Sequence, residues 1–192
     1  MGVPDRGGNE VTRVQTERAV CLSGSAGLSW KRVGTSMNFG LVRRILGALE
    51  REGVRYLVCG AVAINMLGLA RATEDLDLFV SDATDNIERL KAALRSVFDD
   101  PAIDEISAAD LQGEYPAVQY VPPAGDLHVD ILARLGDAFR FEDLASQRMD
   151  IGGITASVAT PETLYRMKKG TLRLKDRADA ELLRRRFDLK ED

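Results

Sequence analysis

Two acidic side chains stand at the start of an apolar stretch in the middle of the chain. Asp75 and Asp77 mark the beginning of the predicted strand Leu76–Val80. Because residues i and i+2 of a strand point to the same side, the two carboxylates lie next to each other. Such a pair favours a hard divalent cation with oxygen ligands, Mg²⁺ or Mn²⁺, between the two groups. The alternative is an exposed strand end whose acids face water.

A third carboxylate occurs on a later predicted strand. Asp130 lies within Leu127–Leu132, where alternate apolar residues take one face and Asp130 takes the other. If this strand neighbours Leu76–Val80, three carboxylates converge. Three carboxylates are the usual ligands of two metal ions that activate an attacking hydroxyl and stabilise a leaving phosphate. His128 either contacts this site or is an ordinary surface or core histidine.

A site of this kind must also hold phosphates, and two stretches offer suitable groups. The turn Cys59–Ala61 joins a predicted strand to a predicted helix, whose free N-terminal N–H groups can bind an anion. Gly60 lacks a Cβ, so its backbone either approaches a phosphate closely or simply forms the turn. Lys168 and Lys169, at the end of a later helix, either oppose a phosphate or complement the helix dipole.

The hydrophobic pattern predicts the elements that position these residues. Helices are predicted from the Asn38 cap to Gly53 and over Ala61–Leu69, Thr84–Phe98, Phe139–Gln147, Pro161–Lys169 and Asp176–Phe187. Strands are predicted over Tyr56–Cys59, Leu76–Val80, Ala117–Val121, Leu127–Leu132 and Ile154–Val158, and the third and fourth form a hairpin. Residues 99–116 give a weak signal and are interpreted as a loop with at most one short strand.

The composition excludes several classes of protein. The chain has 192 residues, enough for one domain with a core, and no apolar run approaches the roughly 20 residues of a membrane span. A net charge of −4 argues against bulk electrostatic binding to nucleic acid. Two cysteines and one histidine exclude a disulfide scaffold and a His-rich metal site. We therefore expect a reduced, cytoplasmic protein with no membrane attachment.

The first 36 residues differ from the rest of the chain. Residues 1–36 are rich in Gly, Ser and Thr and show no sustained hydrophobic period. We interpret them as a disordered or loosely attached tail, and place the folded domain at residues 37–192. Met37 comes just before the first predicted helix, so either it is the working start of the protein or the tail is a genuine flexible segment.

The order and spacing of these motifs resemble the nucleotidyltransferases of the DNA polymerase beta superfamily. The glycine turn Cys59–Ala61 is followed after thirteen residues by Asp75 and Asp77, and later by Asp130. Arg71 and Thr73, just before the acid pair, look like the version found in the AbiEii-type toxin branch. The C-terminal stretch is similar to that branch's last signature through these positions: Thr160, Pro161, Glu162, Lys168, Arg173, Lys175, Asp176 and Asp179. The resemblance covers residues 38–186.

The resemblance implies a fold and a role for each acid. The fold would be an α+β nucleotidyltransferase fold, a short mixed β-sheet with helices packed mainly on one face. Asp75 and Asp77 would bind the metal ions, Mg²⁺ or Mn²⁺. Asp130 would act on the acceptor hydroxyl, as a third metal ligand or as a base.

The resemblance also implies which residues meet the nucleotide. Gly60 and Ala61 would contact the triphosphate of an NTP, and Lys168 would neutralise it. Arg71 and Thr73 would touch phosphate or support the loop that carries them. Three further residues match the signature and would only join the last helix to the core: Lys175, Asp176 and Asp179.

The activity implied is Mg²⁺-dependent transfer of a nucleoside monophosphate from an NTP to an acceptor hydroxyl. The acceptor would be a tRNA, a protein or a small molecule. A toxin with an antitoxin partner is one candidate, and an antibiotic nucleotidyltransferase is another. Ala61 stands where the family usually has Gly or Ser, so its side chain offers no hydroxyl to a phosphate. The alternative is therefore a non-catalytic nucleotide- or partner-binding module that kept the fold.

Overall fold

A computed structural model describes residues 38–123, 127–136 and 138–190. The predicted tail, residues 1–36, lies outside the described residues, as does Met37. The middle of the predicted hairpin turn, residues 124–126, also lies outside them. Within the described residues, no helix has both the length and the apolar character needed to cross a membrane.

The described residues form α-helices, β-strands and two short 3-10 helices. The α-helices are α1 (Phe39–Arg51), α2 (Gly60–Met66), α3 (Thr84–Arg95), α4 (Ala108–Gln112), α5 (Pro161–Lys169) and α6 (Leu174–Phe187). The strands are β1 (Tyr56–Val58), β2 (Asp75–Val80), β3 (Ala117–Tyr120), β4 (His128–Leu132), β5 (Arg134–Leu135), β6 (Phe139–Arg140), β7 (Ser146–Asp150) and β8 (Thr155–Ala159). The 3-10 helices cover Pro101–Glu105 and Phe141–Asp143.

Six of the strands form one mixed sheet. Across this sheet the order is β3, β4, β2, β1, β8 and β7, while β5 and β6 form a separate small pair. Strand β2 runs parallel to β4, and β1 runs parallel to β8, whereas the other neighbours are antiparallel. This arrangement confirms the predicted α+β class with a mixed sheet. It also places β2 and β4, the two strands that carry the acids, side by side near the middle.

Apolar side chains of the sheet and the helices form one core cluster. On β2, Leu76 and Leu78 are fully buried and pair in register with Val129 and Ile131 of β4. Helix α1 packs against α3 and β8, and its apolar stripe is buried as the helical spacing predicts. Because side chains alternate along a strand, the positions between the buried leucines of β2 face the other side of the sheet.

Side-chain caps set the starts of α1 and α5, the two helices for which the sequence predicted a capping residue. Asn38 Oδ1 accepts a hydrogen bond from Leu41 N at 3.0 Å at the start of α1. Thr160 Oγ1 accepts one from Thr163 N at 3.2 Å, and Pro161 occupies the first position of α5. Both caps satisfy a backbone N–H that the helix leaves without a partner. The predicted starts of α1 and α5 are confirmed.

Residues 99–116, expected to be a loop with at most one strand, form two short helical turns instead. Asp100 Oδ1 accepts from Ala102 N at 3.0 Å and starts the 3-10 helix, and Ser107 caps α4. Each turn buries one apolar side chain, Ile103 or Leu111. The two turns hold five residues each, which is too short for a 3.6-residue period to show in the sequence.

The helix predicted over Phe139–Gln147 is wrong. This stretch holds β6, a 3-10 turn and the beginning of β7. Strand β7 pairs antiparallel with β8 through a turn in which Gly152 and Gly153 take φ values of +64° and +91°. The strand is at the edge of the sheet and mostly polar, so its alternation gave no clear strand signal. The pairing with β8, a tertiary contact, overrides the local helical pattern.

Candidate active site

The register of the central strands brings the three predicted acids together. In the parallel pair β2–β4, Asp77 lies opposite Asp130, and Asp75 lies opposite His128. Asp75 and Asp77 are two residues apart, so they share the face that Asp130 occupies on the neighbouring strand. This face is the opposite of the one that carries the buried leucines of β2.

The three carboxylates repel one another, and Asp77 is affected most. Burial raises the pKa of Asp77 to about 7, and the charges of Asp130 and Asp75 add to this rise. The positive charge of Lys168 acts in the opposite direction but is the smaller effect. Burial and the charge of Asp130 also raise the pKa of Asp75 above its usual range. The site therefore favours any cation that would let all three carboxylates ionise together.

Two of the carboxylates have a side-chain partner on the same face. Asp75 Oδ1 lies 3.2 Å from His128 Nδ1. Asp130 Oδ1 accepts a hydrogen bond from Gln119 Nε2 at 2.9 Å. His128 thus contacts the site, which was one of its two expected roles. Nothing in the sequence motifs pointed to Gln119, because it lies on a different strand and belongs to no signature.

The donor set fits a hard divalent cation in its chemistry, since it consists of carboxylate oxygens. As the side chains lie, the described part of the chain has no group of three His, Cys, Asp or Glu residues close enough to hold a metal ion. Residues Asp75, Asp77 and Asp130 are the candidate metal ligands.

Gly60 makes room for the carboxylate of Asp77. Its φ is +62°, and a Cβ at this position would lie 1.9 Å from Asp77 Oδ2. The same turn is fixed by the hydrogen bond from Cys59 N to Asp77 O, at 2.9 Å. The sequence suggested that Gly60 lets a phosphate approach the backbone. In the structure the group that approaches it is the side chain of Asp77, while Ala61 follows in the first turn of α2.

Lys168 belongs to a compact ion network. Its Nζ lies 2.6 Å from Asp176 Oδ1 and 3.0 Å from Asp179 Oδ2, and its side chain is only 14% exposed. Burial alone would lower the pKa of Lys168, but hydrogen bonds and attraction from Asp176 and Asp179 outweigh it and raise the pKa above its usual value. Lys168 is therefore charged and held in place, and its charge also acts on Asp77.

Arg71 and Thr73 hold the loop before β2. Arg71 Nε lies 2.7 Å from Asp179 Oδ1, which extends the ion network to this loop. The backbone of Arg71 exchanges two hydrogen bonds with the Asn65 side chain, at 2.6 and 2.7 Å. Thr73 Oγ1 accepts from Asp75 N at 3.1 Å. These contacts give both residues a supporting role beside the acids.

The chain matches one family model over most of its length. A model of the AbiEii family, described as the nucleotidyl transferase AbiEii toxin of a Type IV toxin–antitoxin system, matches residues 44–177. The matched stretch contains the glycine turn, the three acids and Lys168, and it ends two residues before Asp179. A comparison with curated proteins gives no significant match.

Several solved structures resemble the chain at low sequence identity. ANT(2″)-Ia in complex with adenylyl-2″-tobramycin is 16% identical, with a TM-score of 0.49 over 78% of this chain and 88% of that chain. A Thermotoga maritima protein assigned as a nucleotidyltransferase is 16% identical, with a TM-score of 0.47 over 78% and 91% of the two chains. An antigenic nucleotidyltransferase-like protein from Paracoccidioides brasiliensis is 16% identical, with a TM-score of 0.47 over 77% and 76%.

Proposed function

The chain belongs to the AbiEii nucleotidyltransferase family, and from this premise we propose the reaction in detail. The enzyme transfers a nucleoside monophosphate from an NTP to an acceptor hydroxyl with a divalent cation, Mg²⁺ or Mn²⁺, held by Asp75, Asp77 and Asp130. The observation that carries the proposal is the register of β2 and β4, which sets Asp77 beside Asp130 on the face that Asp75 shares.

The proposed step is an in-line displacement at the α-phosphorus. The acceptor oxygen forms a new bond to this phosphorus, the bond to the bridging oxygen of the β-phosphate breaks, and pyrophosphate leaves. The proton of the acceptor hydroxyl passes to Asp130, which is only partly buried. Bound Mg²⁺ would neutralise the phosphate charge and make the attacking hydroxyl more acidic. Most of the rate enhancement would come from positioning and charge neutralisation.

We assign Lys168 to the leaving pyrophosphate. An ammonium group has three N–H donors, and the carboxylates of Asp176 and Asp179 occupy two of them. In our proposal the third donor binds a phosphate oxygen. Because both carboxylates hold the ammonium in place, it loses little side-chain entropy when the nucleotide binds. Lys168 would thus be held by the ion network and would also make the phosphate contact that the sequence suggested.

Lys168→Ala should lower kcat by about 100-fold or more, while KM for the NTP changes less, because charge on pyrophosphate builds up in the transition state. The change also leaves Asp176 without its 2.6 Å partner, so kinetics should be measured well below the melting temperature. Lys169→Ala is the control, because its Nζ lies over the Tyr165 ring, 5.4 Å from its centroid. If Lys168→Ala were silent in an active enzyme, the phosphate cation would be elsewhere, with Arg173 and Lys175 as the next candidates.

We further propose that the enzyme acts as a toxin in the cytoplasm, against a cellular acceptor, and that an antitoxin opposes it. The description of the family as a Type IV toxin–antitoxin system supports this role. The acceptor is a tRNA, a protein or a small molecule such as an antibiotic. The alternative function is nucleotide or partner binding without turnover, which Ala61 favours because its side chain gives no hydroxyl to a phosphate.

One assay separates these possibilities. The full chain is incubated with each α-labelled NTP and Mg²⁺ or Mn²⁺, in separate arms with total tRNA, soluble cell protein and aminoglycosides. Pyrophosphate release is measured together with transfer of label to the acceptor. We expect release in one arm, and none with Asp77→Asn. NTP binding without release in every arm would instead establish the binding module.

A further inference from the structure

Gln119 lies beside the acids on β3, one of the two edge strands of the sheet. In the antiparallel pair β3–β4 it lies directly opposite Asp130, and its Nε2 donates a 2.9 Å hydrogen bond to Asp130 Oδ1. Its side chain is exposed, so the contact is not a product of core packing. We infer that Gln119 is a positioning residue that sets the direction of the Asp130 carboxylate for nucleotidyl transfer, an inference that rests on the proposed function.

An aspartate on an open strand face needs such a partner. The last torsion of an Asp side chain is broad, so nothing intrinsic fixes the plane of its carboxylate. A single donor on Oδ1 fixes that plane and leaves Oδ2 available to a cation or to the proton of the acceptor. Hydrogen-bonding partners of metal-ligating carboxylates commonly act in this way, and removing them costs about 10- to 100-fold in metal affinity or activity.

The chemistry of the amide suits this role. An ionised carboxylate only accepts hydrogen bonds, so the amide must present its NH₂ group to Asp130. A neutral donor orients Asp130 without bringing a positive charge that would compete with the cation for this carboxylate. Gly60 leaves space for Asp77, and His128 contacts Asp75. Asp75 and Asp130 each have their own side-chain partner, and Asp77 has the space beside Gly60.

The test is Gln119→Met, which keeps the length of the side chain and removes its donor. We expect kcat for pyrophosphate release to fall by about 10- to 100-fold and Mn²⁺ binding to the nucleotide-free protein to weaken by about tenfold. KM for the NTP should change by no more than about twofold, because Gln119 acts on the acceptor side. Mn²⁺ binding is measured by electron paramagnetic resonance of the free ion. If Gln119 had a purely structural role, its replacement would leave the Mn²⁺ affinity unchanged.

Gln112→Met is the matched control. Gln112 is also exposed, and its Nε2 donates one 2.9 Å hydrogen bond, to the backbone oxygen of Asp82. This variant should match the wild type in kcat and in Mn²⁺ affinity, and both variants should melt near the wild-type temperature. If Gln119→Met also matched an active wild type in both measurements, the positioning role would be wrong. A wild type that neither binds Mn²⁺ nor releases pyrophosphate would overturn the proposed function and this inference with it.

Discussion

Asp77→Asn should abolish nucleotidyl transfer and at the same time make the metal-free protein more stable. The substitution keeps the shape of the side chain and removes the charge that would bind a cation. In the folded chain the pKa of Asp77 is about 7, whereas an unfolded chain gives an Asp pKa of about 4. The ionised carboxylate therefore costs folding free energy, and the neutral amide removes that cost.

The pH dependence of this stabilisation follows from the sign of the shift. Between pH 4 and 7 the folded state holds the Asp77 proton more tightly than the unfolded state does, so wild-type stability falls as the pH rises through this window. We expect the melting temperature of Asp77→Asn in EDTA to exceed that of the wild type at pH 8 by about 2 °C or more, the shift expected for 1 kcal/mol in a chain of this size. At pH 4 the difference should shrink.

Asp85→Asn is the control for this substitution. Asp85 is an exposed acid in the first turn of α3 that pairs with Arg89 at 3.2 Å, so its replacement should cost a little stability and no activity. If Asp77→Asn kept turnover within tenfold of the wild type, the assignment of Asp77 as a metal ligand would be wrong. An unchanged melting temperature at pH 8 would contradict the repulsion among the three acids.

Gly60→Ala should nearly abolish transfer, although it adds only one methyl group. The new Cβ would lie 1.9 Å from Asp77 Oδ2, so either the turn or the carboxylate must move. A displacement of about 1 Å at a reacting group costs on the order of 100-fold in rate. The left-handed backbone adds about 1 to 2 kcal/mol of instability for any residue with a side chain. Both kcat and urea unfolding are measured on the same preparation.

Gly53→Ala separates the two effects of Gly60→Ala. Gly53 also has a left-handed φ, +63°, but a Cβ there meets no atom within 4 Å. It should lose similar stability and keep full activity. Equal activity losses in the two variants would show that backbone strain, and not the position of Asp77, accounts for the effect of Gly60→Ala.

Local sequence patterns predict local features of this fold well, and cross-strand contacts poorly. The caps at Asn38 and Thr160 and the apolar strand after Asp75 were readable because their signals lie within a few residues. The sequence did not show that β2 and β4 are neighbours, because the order of strands in a sheet depends on tertiary contacts. The spacing of Asp75, Asp77 and Asp130 showed only that they would meet if the two strands were neighbours.

The residues that orient the acids were missed for the same reason. Gln119 on β3 contacts Asp130 on the neighbouring strand β4. The predicted hairpin placed these two strands beside each other but did not fix the register that sets the two positions opposite each other. Gly60 was identified as a site residue, but the close approach of Asp77 depends on how β1 and α2 meet β2. The false helix over Phe139–Gln147 arose because β7 is an edge strand with little apolar alternation.

The ion network around Lys168 ties together parts of the chain that are far apart in sequence. Arg71 lies in the loop before β2, Lys168 lies in the last turn of α5, and Asp176 and Asp179 lie on α6. Two positive and two negative charges balance, so removing one leaves an uncompensated charge, while removing an opposite pair together does not. We therefore expect evolutionary change at these four positions to be coupled: loss of the charge at Arg71 should be better tolerated when Asp179 loses its charge as well.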